Sequence, residues 1–267
     1  MKEQNFLFSY TPKLIIDNKI IKNNINKIVN KTQEWEVSLR PHFKTHQSDV
    51  ISFIFENFGI NAITVSSIDM AYRFINEKIN DIFIAIPINI HSLNRIDYVL
   101  DDEYLNRLIV SIDSIEAFRY LIPYLEENTK LNFAIEIDCG YHRSGISVSE
   151  EDEIYSIINE IISNNLANKF YGIFSHFGQS YKLSTDDQLY ELNATNIELL
   201  SNIKRIIEAM LDKSISLSIG DTPSLRIYNK KLLEKVDEIR PGNFVFYDAM
   251  QYLHGNCSLE DIAIFLY

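Results

Sequence analysis

Short apolar runs alternate along this chain with longer stretches in which apolar residues recur every three or four positions, the patterns of buried strands and of one-sided helices. Leu14, Ile15 and Ile16 predict a first short strand, and Ile20, Ile21, Ile25, Ile28 and Val29 a helix behind it. A strand over 36–44 follows, and from there a strand-then-helix rhythm sets in. Strand 62–66 precedes a helix through Met70 and Phe74, strand 82–88 a helix over 93–100, and strand 108–113 a helix over 118–125. Strand 132–138 precedes a helix over 154–162 and strand 170–177 a long helix over 189–210; strand 215–219 leads into a turn and a short helix, and 238–246 supplies the last strand.

Strands that alternate with helices imply right-handed crossovers and a parallel sheet. Counted from 36–44 there are eight, and the chain has 267 residues. That is the size of an α/β (β/α)8 TIM-like barrel, which takes about 250 residues. An open doubly wound sheet is the competing architecture, but no glycine-rich dinucleotide turn follows the first or second strand. Polar residues also recur at C-terminal strand ends, among them Lys44, Ser66, Asp138, His176, Gly220 and Asn243. In a barrel those ends converge on one mouth.

Composition narrows the function. With 46% hydrophobic residues the chain can bury a full core, and its formal net charge of −12 argues against nucleic acid or an anionic membrane as partner. Two cysteines, Cys139 and Cys257, give neither a disulfide framework nor a four-thiolate metal site. The first dozen residues contain no long apolar core of a signal peptide, and no run reaches the roughly 18 apolar residues of a membrane span, so a cytoplasmic location is expected.

Against this acidic background, Arg40-Pro41-His42-Phe43-Lys44-Thr45-His46 gathers cations. Strand alternation over 36–44 would place Arg40, His42 and Lys44 on one side, where crowding and partial burial favour a neutral amine able to attack a carbonyl. A lysine snorkelling to solvent at a strand end is the plainer alternative. After the seventh strand, Gly220-Asp221-Thr222-Pro223-Ser224 leads into a short helical stretch, and the eighth ends in Arg240-Pro241-Gly242-Asn243. Together they read as a phosphate cup or as two ordinary glycine turns; Asp221 must point away from a phosphate or act as a cap. If it is a cup, substitution at Gly220 or Thr222 affects only groups facing the phosphate. Arg143, in the loop after Glu136-Ile137-Asp138-Cys139-Gly140, suits a carboxylate or phenolate clamp or a surface ion pair. Ser175-His176-Phe177-Gly178-Gln179-Ser180-Tyr181 brings an imidazole and a phenol to the same mouth. His254 and Cys257 make a poor metal half-site, and no metal ligand set is assigned.

These motifs resemble, in colinear order over nearly the whole chain, the fold-type III pyridoxal-phosphate (PLP) enzymes, within them the D-threonine aldolase and D-serine dehydratase group, and more distantly alanine racemase. The resemblance implies that Lys44 forms the Schiff base with PLP and that Gly220, Thr222, Gly242 and Asn243 hold its phosphate. It puts His176 against the ring, Arg143 near the ring's phenolate oxygen and the substrate carboxylate, and Tyr181 and Arg240 around the pyridine. Lys44, His176 and Arg143 become the catalytic candidates. In such enzymes a β-rich C-terminal domain follows the barrel and supplies ligands for a divalent metal; those ligands are not found in this sequence. The expected division is an N-terminal segment and strand over 1–20, a PLP-binding barrel over 21–248, and over 249–267 the start of a truncated β-domain. The N-terminal strand and the apolar ending 261–267 are then expected to lack their main partners, making that small sheet the least stable region and prone to self-association.

The function implied is action at the Cα of a D-amino acid, most naturally a β-hydroxy one, by aldol cleavage or dehydration, with catalysis by this length of chain expected to be incomplete. Racemisation is the near alternative. A non-catalytic PLP-binding protein and a cofactor-free lysine aldolase are the readings from other classes. The expected partner is a small amino acid, with a homodimer admitted.

Overall fold

A computed structural model describes residues 12–267. Eight parallel strands carry the fold: β2 (Ser38–Leu39), β3 (Ala62–Val65), β4 (Asp81–Pro87), β5 (Arg107–Ile112), β6 (Leu131–Asp138), β8 (Phe170–Ser175), β9 (Ser216–Ile219) and β10 (Glu238–Ile239). They are ordered β2-β10-β9-β8-β6-β5-β4-β3, with the two-residue strand β7 (Ile146–Ser147) added to β6. The sheet closes on itself through a parallel bridge between His42 and Thr64, where the Thr64 amide donates to the Pro41 carbonyl at 2.9 Å. The expected TIM-like barrel is therefore the fold.

Helices form where the sequence supplies caps and one apolar stripe. In α1 (Asn18–Trp35) the Asp17 carboxylate accepts from the amides of Lys19 and Ile20, while Ile21, Ile25, Ile28 and Trp35 face inward. Thr185 caps the long α2 (Asp186–Leu211) through the Gln188 amide in the same way. Between strands and helices lies one continuous apolar layer, and inside the barrel a separate cluster of Phe83, Ala85, Ile109, Ala134 and Phe174. Gly172 is required where β8 and β9 meet, because a Cβ there would lie 2.0 Å from the Ser216 carbonyl oxygen. Among the described residues no helix is long and apolar enough to cross a membrane.

Three expectations need correction. The strand over 36–44 is only Ser38–Leu39, and Lys44 lies in a single 3₁₀ turn, Phe43–Thr45. Pro41 has no amide to continue a ladder, and the His42 ring accepts the Lys44 amide at 3.3 Å, capping the turn. The alternation nevertheless holds as far as His42: the Arg40 and His42 amides donate to the Ile239 and Pro241 carbonyls at 3.0 and 2.9 Å, which leaves both side chains on the inner side of the barrel. Arg40 lies inside the barrel, while His42 and Lys44 border the mouth. The eighth strand likewise stops at Ile239, before Pro241, and a 3₁₀ turn covers Asn243–Val245. Finally, the two segments expected to leave backbone groups unpaired for want of their main partners pair with each other: β1 (Leu14–Ile16) and β11 (Ile264–Leu266) form a two-stranded antiparallel sheet with Ile15 opposite Phe265.

The barrel interior on the β2–β10 side is charged. Arg40, only 2% exposed, donates through Nε to Glu238 Oε2 at 2.6 Å and through Nη1 to Asp81 Oδ1 at 2.8 Å. Burial works against its charge, but the two carboxylates outweigh burial and hold the guanidinium well above its ordinary range. Arg107 also binds Asp81, and the Tyr171 hydroxyl donates to Glu238 at 3.0 Å. Arg40→Met would leave two inward-facing carboxylates short of their partner, and we expect a loss of about 3–5 kcal/mol. Urea denaturation of the variant measures this; a loss below about 1 kcal/mol would show that the pairing contributes little beyond what a methionine replaces.

Candidate active site

The C-terminal strand ends surround a cavity of about 350 Å³. The 3₁₀ turn after β2 brings Lys44 into it, the loops after β6 and β8 bring Arg143, His176 and Tyr181, and the turns after β9 and β10 bring Gly220, Thr222, Arg240, Gly242 and Asn243. All of the residues singled out from sequence as site candidates thus border one space, although Arg40 does not.

Burial, followed by the guanidinium charges of Arg143 and Arg240, lowers the Lys44 amine from its ordinary range. The depression anticipated from sequence is present, but its sources differ. Arg40 is absent from them, and His42 is itself held neutral, first by burial and then by Lys44. The cations that act on Lys44 come from distant parts of the chain, so the local motif could not have disclosed them.

His176 Nδ1 donates to the Gly220 carbonyl at 2.7 Å, and burial pushes the imidazole down to about 4. It is a neutral flat ring at physiological pH, with the Tyr141 ring edge-on at 5.6 Å. Arg143 stacks over Tyr141 at 5.6 Å and stands 3.8 Å from Glu136 Oε1. Burial, then the nearby hydroxyl of Ser144 and the charge of Arg143 acting against it, leave the Glu136 carboxyl above its ordinary range. Arg240 lies between the cavity and the aromatic interior, its guanidinium over Phe174 at 4.8 Å and Phe83 at 5.4 Å. Its Nε donates to Ser218 Oγ at 2.8 Å and its Nη2 to the Ser175 carbonyl at 3.1 Å.

The two glycine turns form a cup with a particular division of labour. Among the described residues the Gly242 amide has no protein acceptor and remains for an anion, whereas the Thr222 amide meets the Tyr181 hydroxyl. Asn243 is different: its amide donates to Thr222 Oγ1 at 3.0 Å and its side-chain amide to Asp248 at 2.7 Å. Those two hydrogen bonds shape the cup, and the second side-chain N–H of Asn243 is not engaged by them. Gly220 also has a packing role, since a Cβ there would lie 2.8 Å from the Arg240 backbone nitrogen. Contrary to the expectation that it affects only phosphate-facing groups, a side chain at Gly220 would force the ends of β9 and β10 apart. At Gly242 a Cβ would meet Thr45 Oγ1 at 2.9 Å, so glycine lets this turn close onto the Lys44 turn. Asp221 acts as a cap, accepting from the Ser224 amide at 2.7 Å and hydroxyl at 2.8 Å. Tyr181 lies beside Thr222, its phenol pushed up to about 12 by burial and then by Asp221.

The sequence reading missed the wall formed by Ala85, Ile86, Pro87 and Phe174, and the Ser218 support of Arg240. Pro87 ends a strand with a register shift after Ile84, a site-forming irregularity that an apolar run does not reveal. Among the described residues no group of three or more His, Cys, Asp or Glu side chains is arranged to hold a metal ion, and His254 and Cys257 form no such set.

The sequence matches the family described as "Alanine racemase, N-terminal domain" over residues 16–249. It is 31% identical to a D-serine dehydratase of Dictyostelium discoideum over 95% of this chain and 67% of that protein. It is 27% identical to a D-threo-3-hydroxyaspartate dehydratase of Delftia over 95% of this chain and 66% of that protein. The solved structure of the Delftia dehydratase superposes with a TM-score of 0.84, covering 97% of this chain and 67% of that one. A D-threonine aldolase structure from Filomicrobium marinum, 18% identical with a TM-score of 0.74, shares the fold, over 96% of this chain and 69% of that one. The chain thus spans about two thirds of the length of these relatives.

Burial raises the Asp221 carboxyl to about 6 from an ordinary 3.8, against the opposing hydrogen bonds from Ser224. The folded protein then keeps a proton that the unfolded chain releases at lower pH, so stability falls as pH rises from about 4 through about 6. Asp221→Asn keeps a carbonyl oxygen for the Ser224 amide and removes this titration. We expect the difference in Tm between pH 5 and pH 7.5 to shift in favour of pH 7.5 in the variant relative to the parent. Equal differences would mean that Asp221 is ionised throughout.

Proposed function

The chain belongs to the alanine racemase N-terminal domain family, within the fold-type III PLP enzymes, and from that membership we propose that it is a PLP-dependent lyase acting at the Cα of a β-hydroxy D-amino acid. The observation that carries the proposal is the meeting, in one cavity, of a lysine with a depressed pKa and a cup of glycine turns suited to a phosphate. The dehydratase relatives favour dehydration over racemisation as the reaction class.

The residues fit the cofactor. Gly242 through its amide and Thr222 beside it would hold the phosphate, and the Lys44 amine, with its pKa lowered, would hold the aldehyde carbon. His176, neutral and flat, would cover a ring face, while Tyr181 and Arg240 would border the ring. PLP, when bound, supplies an electron sink conjugated to the substrate Cα. Arg143 has the fork geometry to orient the substrate carboxylate at the mouth. Lys44 Nζ, once free of the aldehyde carbon, would take the Cα proton, a role that requires it to be unprotonated at working pH. Burial and the flanking Arg143 and Arg240 favour that neutral state. His176 would contribute by contact with the ring, because its hydrogen bond to Gly220 and its low pKa leave no spare proton to donate near pH 7.

Two measurements follow. Protein titrated with PLP should develop a visible absorption band, and borohydride should fix the cofactor to the peptide containing Lys44; Lys44→Ala should abolish this covalent capture. A protein that remains colourless in excess PLP would exclude the proposal. The cofactor-loaded chain should then be assayed with D-serine, D-threo-3-hydroxyaspartate, D-threonine and alanine, with and without added zinc or manganese. Keto-acid release from the first two supports a dehydratase, glycine release from D-threonine an aldolase, and exchange of the alanine enantiomers would favour the racemase instead.

A further inference from the structure

Arg240 is the deepest cation bordering the cavity, and one edge of its guanidinium is already committed. Nε donates to Ser218 Oγ at 2.8 Å, and the Ser218 hydroxyl, having one proton, donates to Glu238 Oε1 at 2.7 Å. The other Glu238 oxygen receives Arg40 Nε at 2.6 Å and the Tyr171 hydroxyl at 3.0 Å. Nη2 is tied to the Ser175 carbonyl, whereas Nη1 makes no hydrogen bond among the described residues. The Phe83 and Phe174 rings fix the plane of the group. Ser218 and Glu238 are fully enclosed and do not border the cavity themselves.

The charges of this cluster do not cancel. Arg40, Arg107 and Arg240 bring three guanidiniums and Asp81 and Glu238 two carboxylates, both with arginine partners that do not border the cavity, while Glu136, which also acts on Arg240, is biased toward its neutral form by burial. The surplus positive charge therefore lies at Arg240, facing the space where an anionic ligand would sit. A serine and a glutamate two strand positions apart from an arginine could instead be only barrel packing. Against that stands the geometry: the relay ends on the rotation of a side chain that borders the cavity, not on a backbone group.

We propose that Ser218 and Glu238 are positioning residues, which orient Arg240 so that its free Nη1 edge faces the ring of the bound cofactor. This inference rests on the reading of the cavity as a PLP site. Ser218→Ala would remove both hydrogen bonds of the relay while leaving every cavity-lining side chain in place.

The test uses the full 267-residue chain. Parent, Ser218→Ala, Ser218→Thr, Glu238→Gln and Tyr171→Phe are titrated with PLP, and the dissociation constant and the pH midpoint of the bound cofactor's visible band are recorded. Ser218→Ala should weaken PLP binding about tenfold, the scale of one hydrogen bond to a charged group, and shift the band midpoint. Ser218→Thr restores the hydroxyl and should return both readings toward the parent. Tyr171→Phe removes a hydrogen bond from the far side of Glu238, so it should lower Tm without moving the band. Should Ser218→Ala fail to fold, Glu238→Gln keeps the side-chain shape and one acceptor oxygen, and must shift the midpoint in the same direction. If Ser218→Ala matches the parent in affinity and midpoint, or Tyr171→Phe shifts the band as far as Ser218→Ala does, the positioning role is overturned while the cavity reading stands. A parent chain that takes up no PLP overturns the cavity reading, and the relay with it.

Discussion

Glu238 is where the inside of this barrel is held together. A buried carboxylate that receives Arg40, Tyr171 and Ser218 ties the first barrel strand, the eighth, and the two between which the chain passes to reach it. Burying so many charges is costly in itself, and an apolar core would meet the need for stability as well or better. What the charged side adds is direction. Because β2 and β10 are only two residues each, their ladder supplies few backbone hydrogen bonds, and side-chain pairing across them substitutes for it. The apolar half of the interior, around Phe83 and Phe174, provides the rigid surface against which the last arginine is turned toward the mouth.

The mouth also biases one amine toward its neutral form in an acidic protein. A net charge of −12 should favour protonated lysine at long range, but screening reduces charges beyond about 10 Å to minor terms. Within the mouth the balance is reversed, since burial and two arginines dominate and no ionised carboxylate pairs with Lys44. Glu136, the carboxyl nearest Arg143, is itself biased toward its neutral form by burial. Desolvation in the mouth and the two arginines thus bias Lys44 toward the neutral amine even though its side chain is open to solvent, and the overall charge has little influence on it.

How much of this was legible in the sequence depended on the range of the interaction. The barrel was legible because eight apolar runs with helical stretches between them leave few other topologies, and the site residues because they fall at strand ends that a barrel must bring together. The side assignment held for Arg40 and His42, whose amides both donate toward β10, and lost its basis at Phe43, where a turn begins and carries Lys44. The pairing of β1 with β11 was missed because it joins segments about 250 residues apart, and an apolar tripeptide carries no address for its partner. Asn243 borders the cavity as its place after a glycine suggested; only the structure reveals that its backbone amide is tied to Thr222 and one side-chain N–H to Asp248.

Glycine positions show the same limit from the other side. A glycine in a phosphate-binding turn is ordinarily explained by the ligand, which needs close approach to backbone amides. At Gly220 the nearest obstacle to a side chain is the Arg240 backbone, and at Gly242 it is the turn that carries Lys44. The cup is therefore narrow because three chain segments are packed against one another there, before any ligand enters. The same closeness that excludes a Cβ sets the distance between the glycine turns and the lysine amine, so packing of the strand ends and geometry of the cavity are one constraint and cannot be varied separately.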